Sequence, residues 1–393
     1  MKLSILNSKI ALGYFLLIAA LGVILRFFPI LPISANYKFL VHAHSHVALL
    51  GWIYTGLTTL IYTLYLKDAD ITPLYKRIFW GTQITIVGML FTFPFMGYKA
   101  LSIVFSTLFL IASYFFAWLV FKHTSKDLKQ MYSYKFMRMA LWFMIISSIG
   151  PWALGTIMST HGSASSLYKN AIYFYLHFQY NGWFLVAILG GFIRVLELQH
   201  IKISKREFLG LYWLFNCGVI ATFLISILWM SPSTTIHSIA GIGSILQLIA
   251  FTCFIKKLKS IQFESSQYLL HLFIAFFLIK LVLQLLGCIP YFSSIISFNV
   301  DVVIGYIHWV FLGVVSIGLL GLLNHFKLIQ ITKPIIVLYT IGVLLTEVLL
   351  FYKGTSIWLE LEHTSNYYQY LAGASLIVFF SILYLFLLQF KRK

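Results

Sequence analysis

Residues 42–52 read His42-Ala-His44-Ser-His46-Val-Ala-Leu-Leu-Gly51-Trp52 and open an apolar run that continues to Leu66. A run of that length can cross a bilayer as one helix. Metal-liganding and ionisable side chains are costly in lipid, so three imidazoles at the mouth of a span mark a functional position. On a helix His42 and His46 share a face, while His44 points the other way. The spacing therefore predicts a site on each face of one membrane helix.

The rest of the chain suits the same solvent. Apolar residues make up 61% of the 393, aromatics 18% and charged residues only 10%, which excludes a water-soluble domain. Apolar windows of about 20 residues, the bilayer-crossing length, recur near 10–31, 40–66, 78–98, 100–121, 136–159, 170–193, 207–230, 236–255, 267–288, 300–324, 334–352 and 367–390. These twelve spans, numbered in chain order, predict an all-α polytopic membrane bundle. It forms a single integral membrane domain over 1–393, with short connections. The first window is too long, and lacks the small-residue cleavage site, to be a removable signal peptide. Pro94 and Pro151 are expected to kink spans 3 and 5.

A net charge of +18 would fit a nucleic-acid binder until it is mapped. With the N-terminus in the cytoplasm, 22 of the 28 Lys and Arg fall in cytoplasmic segments, including the terminal Lys391 to Lys393. The opposite side carries only Lys38, Lys99, Lys169 and Lys353. That asymmetry is the positive-inside rule and predicts both termini in the cytoplasm of a bacterial inner membrane. The basic balance points to topology and membrane lipid, with no nucleic acid as partner. Cys217, Cys253 and Cys288 stand alone, without a CxxC or CxxCH, which argues against thiolate zinc sites and covalently attached heme.

Further histidines begin spans that, like span 2, start outside. Span 6 carries His177-Phe-Gln-Tyr180-Asn181-Gly182-Trp183, and its histidine, four intervening residues and Gly-Trp echo His46 and Gly51-Trp52. Glycine there allows a flat macrocycle or a neighbouring helix to approach the backbone. His237 opens span 8, and span 10 repeats the spacing a third time in His308 and Gly313. Asp301 precedes His308 on nearly the same face and is either an acceptor that orients the imidazole or a solvated carboxylate. Arg26 in span 1 is either an interfacial cation or a counter-ion for the acidic group of a cofactor. Lys280 in span 9 belongs to a proton path with Gln284 or to an ion pair with Glu347 of span 11.

Six imidazoles, His42, His44, His46, His177, His237 and His308, are thus expected in the outer third of the membrane. Neutral imidazole serves iron, copper and zinc, and histidines on separate helices of a bundle can converge. The scarcity of carboxylates at that depth argues against calcium, magnesium or a carboxylate-bridged di-iron site. An all-nitrogen set in an aromatic interior suits heme iron or copper.

The pattern resembles subunit I of the heme-copper oxidase superfamily, in particular its nitric-oxide-reductase and C-type branches. The resemblance covers nearly the whole chain in topology but rests on short motifs. The His42/His44/His46 cluster is similar in position to the helix II heme ligand, though its sequence looks as much like the helix X motif. His177 with Asn181-Gly182 is similar to the helix VI histidine. The family carries an adjacent histidine pair at His237 and a His-x-His at His308; here Ser238 and Val310 stand in the second places. Asn181, with Tyr180 beside it, occupies the position of the oxidases' tyrosine or the reductases' glutamate, which makes these two the catalytic candidates. The resemblance implies a low-spin heme b held by His308 and one span 2 histidine, with His44 favoured. His42, His46, His177 and His237 are left for a second centre: another heme, copper or non-heme iron. With that centre, the expected activity is an oxidoreductase's reduction of oxygen or nitric oxide by a quinol or cytochrome donor, alongside oxidase-like subunits. Without it, the chain is an electron-transfer protein, a heme or copper sensor, or an assembly factor. A transporter using Lys280 and Glu347 is the competing class. Di-iron hydroxylases have similarly spaced histidine boxes, but theirs face the cytoplasm.

Overall fold

The computed structural model describes residues 1–263 and 267–391, so Arg392 and Lys393 of the basic terminus lie outside the described residues. Every regular element among the described residues is helical, with no strand. Twelve helices are long and apolar enough to cross a membrane. Spans 1 to 6 run Lys2–Phe27, Tyr37–Leu66, Thr72–Met96, Ala100–His123, Tyr132–His161 and Ser166–Leu198. Spans 7 to 12 run Lys205–Met230, Thr234–Lys259, Gln267–Leu286, Val300–His325, Lys333–Trp358 and Tyr367–Leu388. Several begin before the apolar windows do, because helical hydrogen bonding continues until a cap ends it, whatever the polarity of the turn. Ser165 and Ser204 provide such caps, their side chains accepting from the N–H of Tyr168 and Glu207.

The two internal prolines act differently. Span 5 breaks at Ser148, between Tyr132–Ser147 and Ile149–His161. Pro151 has no N–H to offer the Ser147 carbonyl four residues back, so the ladder is interrupted there. Pro94 sits in the last turn of span 3, where the helix runs on to Met96 and stops at Gly97 with φ +59°.

The chain resolves into two compact units. The first comprises residues 1–129, 319–352 and 362–393, the second residues 130–318 and 353–361. In the first, span 2 is central: 89% of its most apolar window is buried, against 28% for span 1 and 44% for span 3. Trp52 stacks face to face on Phe15 of span 1 with ring centroids 4.5 Å apart. Tyr62 stacks on Tyr75 of span 3 at 3.8 Å. In the second unit span 6 takes the same place, 83% buried. Spans 7 and 8 of that unit cross closely at Gly218 and Gly243, where a Cβ on Gly218 would stand 2.7 Å from the Gly243 carbonyl oxygen. Small residues at such crossings let membrane helices reach van der Waals contact, the main attraction available once both are in lipid. Apolar side chains such as Phe91, Phe95 and Ile84 remain exposed, as expected of surfaces that face lipid.

Candidate functional site

Three histidines stand at a change of helix type. His46 ends an α-helical segment, and Val47–Tyr54 is π-helical. His177 likewise ends Ser166–His177, and Phe178–Phe184 is π-helical. His308 ends Val300–His308, and Trp309–Ser316 is π-helical. The repeated histidine-to-glycine spacing therefore corresponds to one local structure built three times. Wide π turns are rare and are frequent at functional sites. Each contains the glycine of the repeat, and each glycine receives an aromatic side chain of a neighbouring span in its own unit. A Cβ on Gly51 would lie 2.9 Å from Cγ of Tyr14, and one on Gly182 would lie 2.7 Å from Cβ of Phe143. A Cβ on Gly313 would overlap the ring of Phe276. Of the two approaches the sequence left open, the structure displays the helix: a neighbouring aromatic fills each glycine notch.

In the first unit the span 2 histidines divide between two faces, as their spacing predicts. His44 turns to span 1, where Nδ1 lies 3.0 Å from the Ile18 carbonyl oxygen. Its Cε1 is 3.3 Å from where a Cβ on Gly22 would stand. Nδ1–H donates to that carbonyl, which leaves the Nε2 lone pair as the coordinating atom. His42 and His46 turn to span 3 and the turn after it. His46 stacks on Phe93 at 4.3 Å, and His42 meets the edge of Tyr98 at 4.7 Å. His46 spends both nitrogens: Nδ1–H donates to the His42 carbonyl at 2.9 Å, and Nε2 accepts from the Tyr98 hydroxyl at 3.3 Å. Arg26, half-buried in the last turn of span 1, makes no ion pair among the described residues. Glu347 is 1% exposed; Oε1 accepts from the Thr346 hydroxyl at 3.3 Å, while Oε2 has no hydrogen-bond partner among the described residues.

In the second unit His177 is fully engaged. Nε2–H donates to the Val219 carbonyl of span 7 at 2.8 Å, and Nδ1 accepts from the Asn181 amide at 3.2 Å. The Asn181 carbonyl oxygen is buried without a hydrogen-bond partner among the described residues. Tyr180 stands beside the pair, its ring 6.2 Å from His177 and 5.8 Å from Phe311. His237, in the first turn of span 8, donates from Nδ1 to the Cys288 carbonyl at 2.9 Å, which leaves Nε2 as its lone-pair nitrogen. His308 is half-buried. Asp301 does not orient an imidazole; it pairs with Lys353 at 3.3 Å.

No known protein family and no curated protein matches the chain.

The donor set, taken as it stands, divides the expected roles. His44 and His237 present a lone-pair nitrogen with the other nitrogen anchored on a backbone carbonyl, the arrangement in which protein imidazoles are held for a metal. His46 and His177 would each have to give up a hydrogen bond to coordinate. Among the described residues no three His, Cys, Asp or Glu side chains gather as a metal ion would require.

Sequence reasoning paired Lys280 with Gln284 but missed the rest of a buried polar string between spans 8 and 9. The Lys280 ammonium, 0% exposed, donates to the Gln284 carbonyl oxygen. The Gln284 amide donates in turn to Gln247 at 2.7 Å and Ser244 at 3.3 Å. Ser244 then meets Cys288 Sγ at 3.3 Å, and the Cys288 carbonyl holds His237. The signal was available: Ser244 and Gln247 are three apart in an apolar span, as Gln284 and Cys288 are four apart in the next, which aligns each pair on one face.

Proposed function

We propose that the chain is a heme-binding electron-transfer protein of a bacterial inner membrane, similar to subunit I of the heme-copper oxidases, with both termini cytoplasmic. The observation that carries this reading is His44, whose Nδ1–H is fixed on the Ile18 carbonyl so that Nε2 is free to bind iron. A heme b bound there would supply one-electron redox chemistry. His44 would hold it through Nε2, its ring oriented by the Ile18 carbonyl of span 1. Arg26 follows Gly22 by four residues and so shares its face, the face that packs against His44; its cation would balance the acidic groups of the bound cofactor. Electrons would come from a quinol or a cytochrome, and no nucleic acid is involved. His237 is the residue best prepared for a second metal, copper or non-heme iron. Because both nitrogens of His177 are spent, on the Asn181 amide and the Val219 carbonyl, electron transfer is favoured here over reduction of oxygen or nitric oxide at Tyr180 and Asn181.

The test is a reduced-minus-oxidised optical spectrum of detergent-purified protein, with iron and copper quantified on the same sample. The expected result is sharp low-spin heme bands that disappear in His44→Ala and persist in His46→Ala. Full heme retention by His44→Ala removes the ligand assignment. Wild-type protein with neither heme nor metal removes the family reading and brings forward a transporter built on Lys280 and Glu347.

A further inference from the structure

One cavity of the second unit has no part in the proposed heme chemistry. It encloses about 520 Å³ where span 5 begins, span 6 ends and span 7 begins. That volume lies within the range of small-molecule sites, roughly 300–1,000 Å³. Tyr132 and Phe208 stack in one wall with ring centroids 4.0 Å apart and planes within 7°. The Lys135 ammonium lies over both rings, 5.3 and 5.5 Å from their centroids. Cation–π contact orients an ammonium without neutralising it. Lys205 supplies a second cation to the wall, and neither lysine has an ion-pair partner among the described residues.

The one carboxylate of the wall is already used. Glu197 accepts from the Ser133 N–H at 2.9 Å, from the Ser133 hydroxyl at 2.6 Å and from Arg194 at 3.3 Å. The wall therefore keeps the charge of both lysines. Lys205 is also badly placed for its own helix, since a cation in the first turn opposes the helix dipole. Ile201, Ile203 and Leu209 make the remainder of the wall apolar. A small inorganic anion would match the lysines and leave those side chains wet; an amphiphile satisfies both.

We propose that this cavity binds an anionic phospholipid, with the headgroup phosphate between Lys135 and Lys205 and the acyl chains along Ile201, Ile203 and Leu209. Basic pockets at the ends of membrane helices recognise such headgroups electrostatically, and the apolar wall continues the hydrocarbon of the bilayer. The proposal depends on the membrane fold and is independent of heme.

Delipidated full-length protein titrated with phosphatidylglycerol or phosphatidylcholine, and followed by native mass spectrometry, tests it. Phosphatidylglycerol should be retained preferentially. Lys205→Gln should weaken it about fivefold, the factor equivalent to roughly 1 kcal/mol per basic residue near a lipid surface. Lys135→Gln/Lys205→Gln should abolish the preference, while Lys122→Gln, outside the cavity, should leave it intact. Lys205 is exposed, so the single variant remains informative if the double variant does not fold. Equal retention of the two lipids, or unchanged phosphatidylglycerol binding in Lys205→Gln, overturns the proposal. So does displacement of the lipid by millimolar inorganic phosphate, which would identify a small-anion site.

Discussion

Replacing Gly182 by alanine puts a Cβ 2.7 Å from both Cβ and Cγ of Phe143. Phe143 is buried, and its ring also stacks on Phe178 at 5.7 Å. The clash is with an atom bonded directly to the span 5 backbone, so rotating the ring cannot relieve it. The two helices must separate by about 0.7 Å to restore ordinary contact, and overpacking of this kind costs roughly 1–3 kcal/mol. Removing glycine from a helix returns about 1 kcal/mol at most, and less in a π turn. A net loss of about 1–2 kcal/mol is expected for Gly182→Ala. Gly313→Ala meets ring atoms of Phe276, but that ring is confined by Trp309, 4.5 Å away, whose Nε1–H also donates to the Phe276 carbonyl at 2.9 Å. It should therefore also destabilise. Gly81 of span 3 has open space where a Cβ would stand, with no neighbouring atom within 4 Å, so Gly81→Ala should gain up to about 1 kcal/mol. Reversible unfolding in mixed micelles of mild detergent and dodecyl sulfate, followed by circular dichroism, reads all three variants. If Gly182→Ala is as stable as Gly81→Ala, the glycine notches do not set the helix contacts and the close-approach argument fails.

Two other substitutions probe polar groups. Lys280→Met removes an ammonium that is buried without an ion pair among the described residues. A hydrogen bond to a charged group contributes about 1.5–3 kcal/mol, whereas burying an ion costs several, so the variant should be at least as stable as wild type in the same unfolding assay. A loss above about 2 kcal/mol would mean that the ammonium has an anionic partner. Ser204 and Glu207 form a reciprocal cap at the start of span 7, with N–H···O distances of 2.8 and 3.2 Å. Ser204→Ala should cost about 1 kcal/mol and Ser204→Asp close to nothing, with faster amide exchange in the first turn of span 7 only in the alanine variant.

Much of the architecture was readable from the one-dimensional pattern. Twelve apolar windows became twelve helices, and the four-residue spacing of His42 and His46 put those rings on span 3 while His44 turned to span 1. The recurrence of glycine after each histidine was visible too, but its structural meaning was not. A π turn has no compositional signature, since the extra residue per turn is absorbed by contacts with neighbouring helices. Gln284 was legible as a partner for Lys280, four residues away on one helix, but the partners of other polar groups were hidden. Val219 engages His177 through a backbone carbonyl, which has no sequence identity at all. Lys353 reaches Asp301 across 52 residues, a partner that neither reading of Asp301 as an acceptor for His308 or as a solvated carboxylate contained.

The sequence by itself determined that this chain crosses a membrane as helices, because lipid imposes a minimum apolar length and requires every backbone hydrogen bond to be satisfied within the segment. Only the tertiary structure decided which imidazoles are spent on neighbours and which keep a free nitrogen. In lipid the inside of a bundle and its outside are equally apolar, so hydrophobicity does not say which face of a span meets which partner. That choice is made by shape, through glycine notches and the aromatic rings that fill them, and by the few polar groups that must find one another across helices.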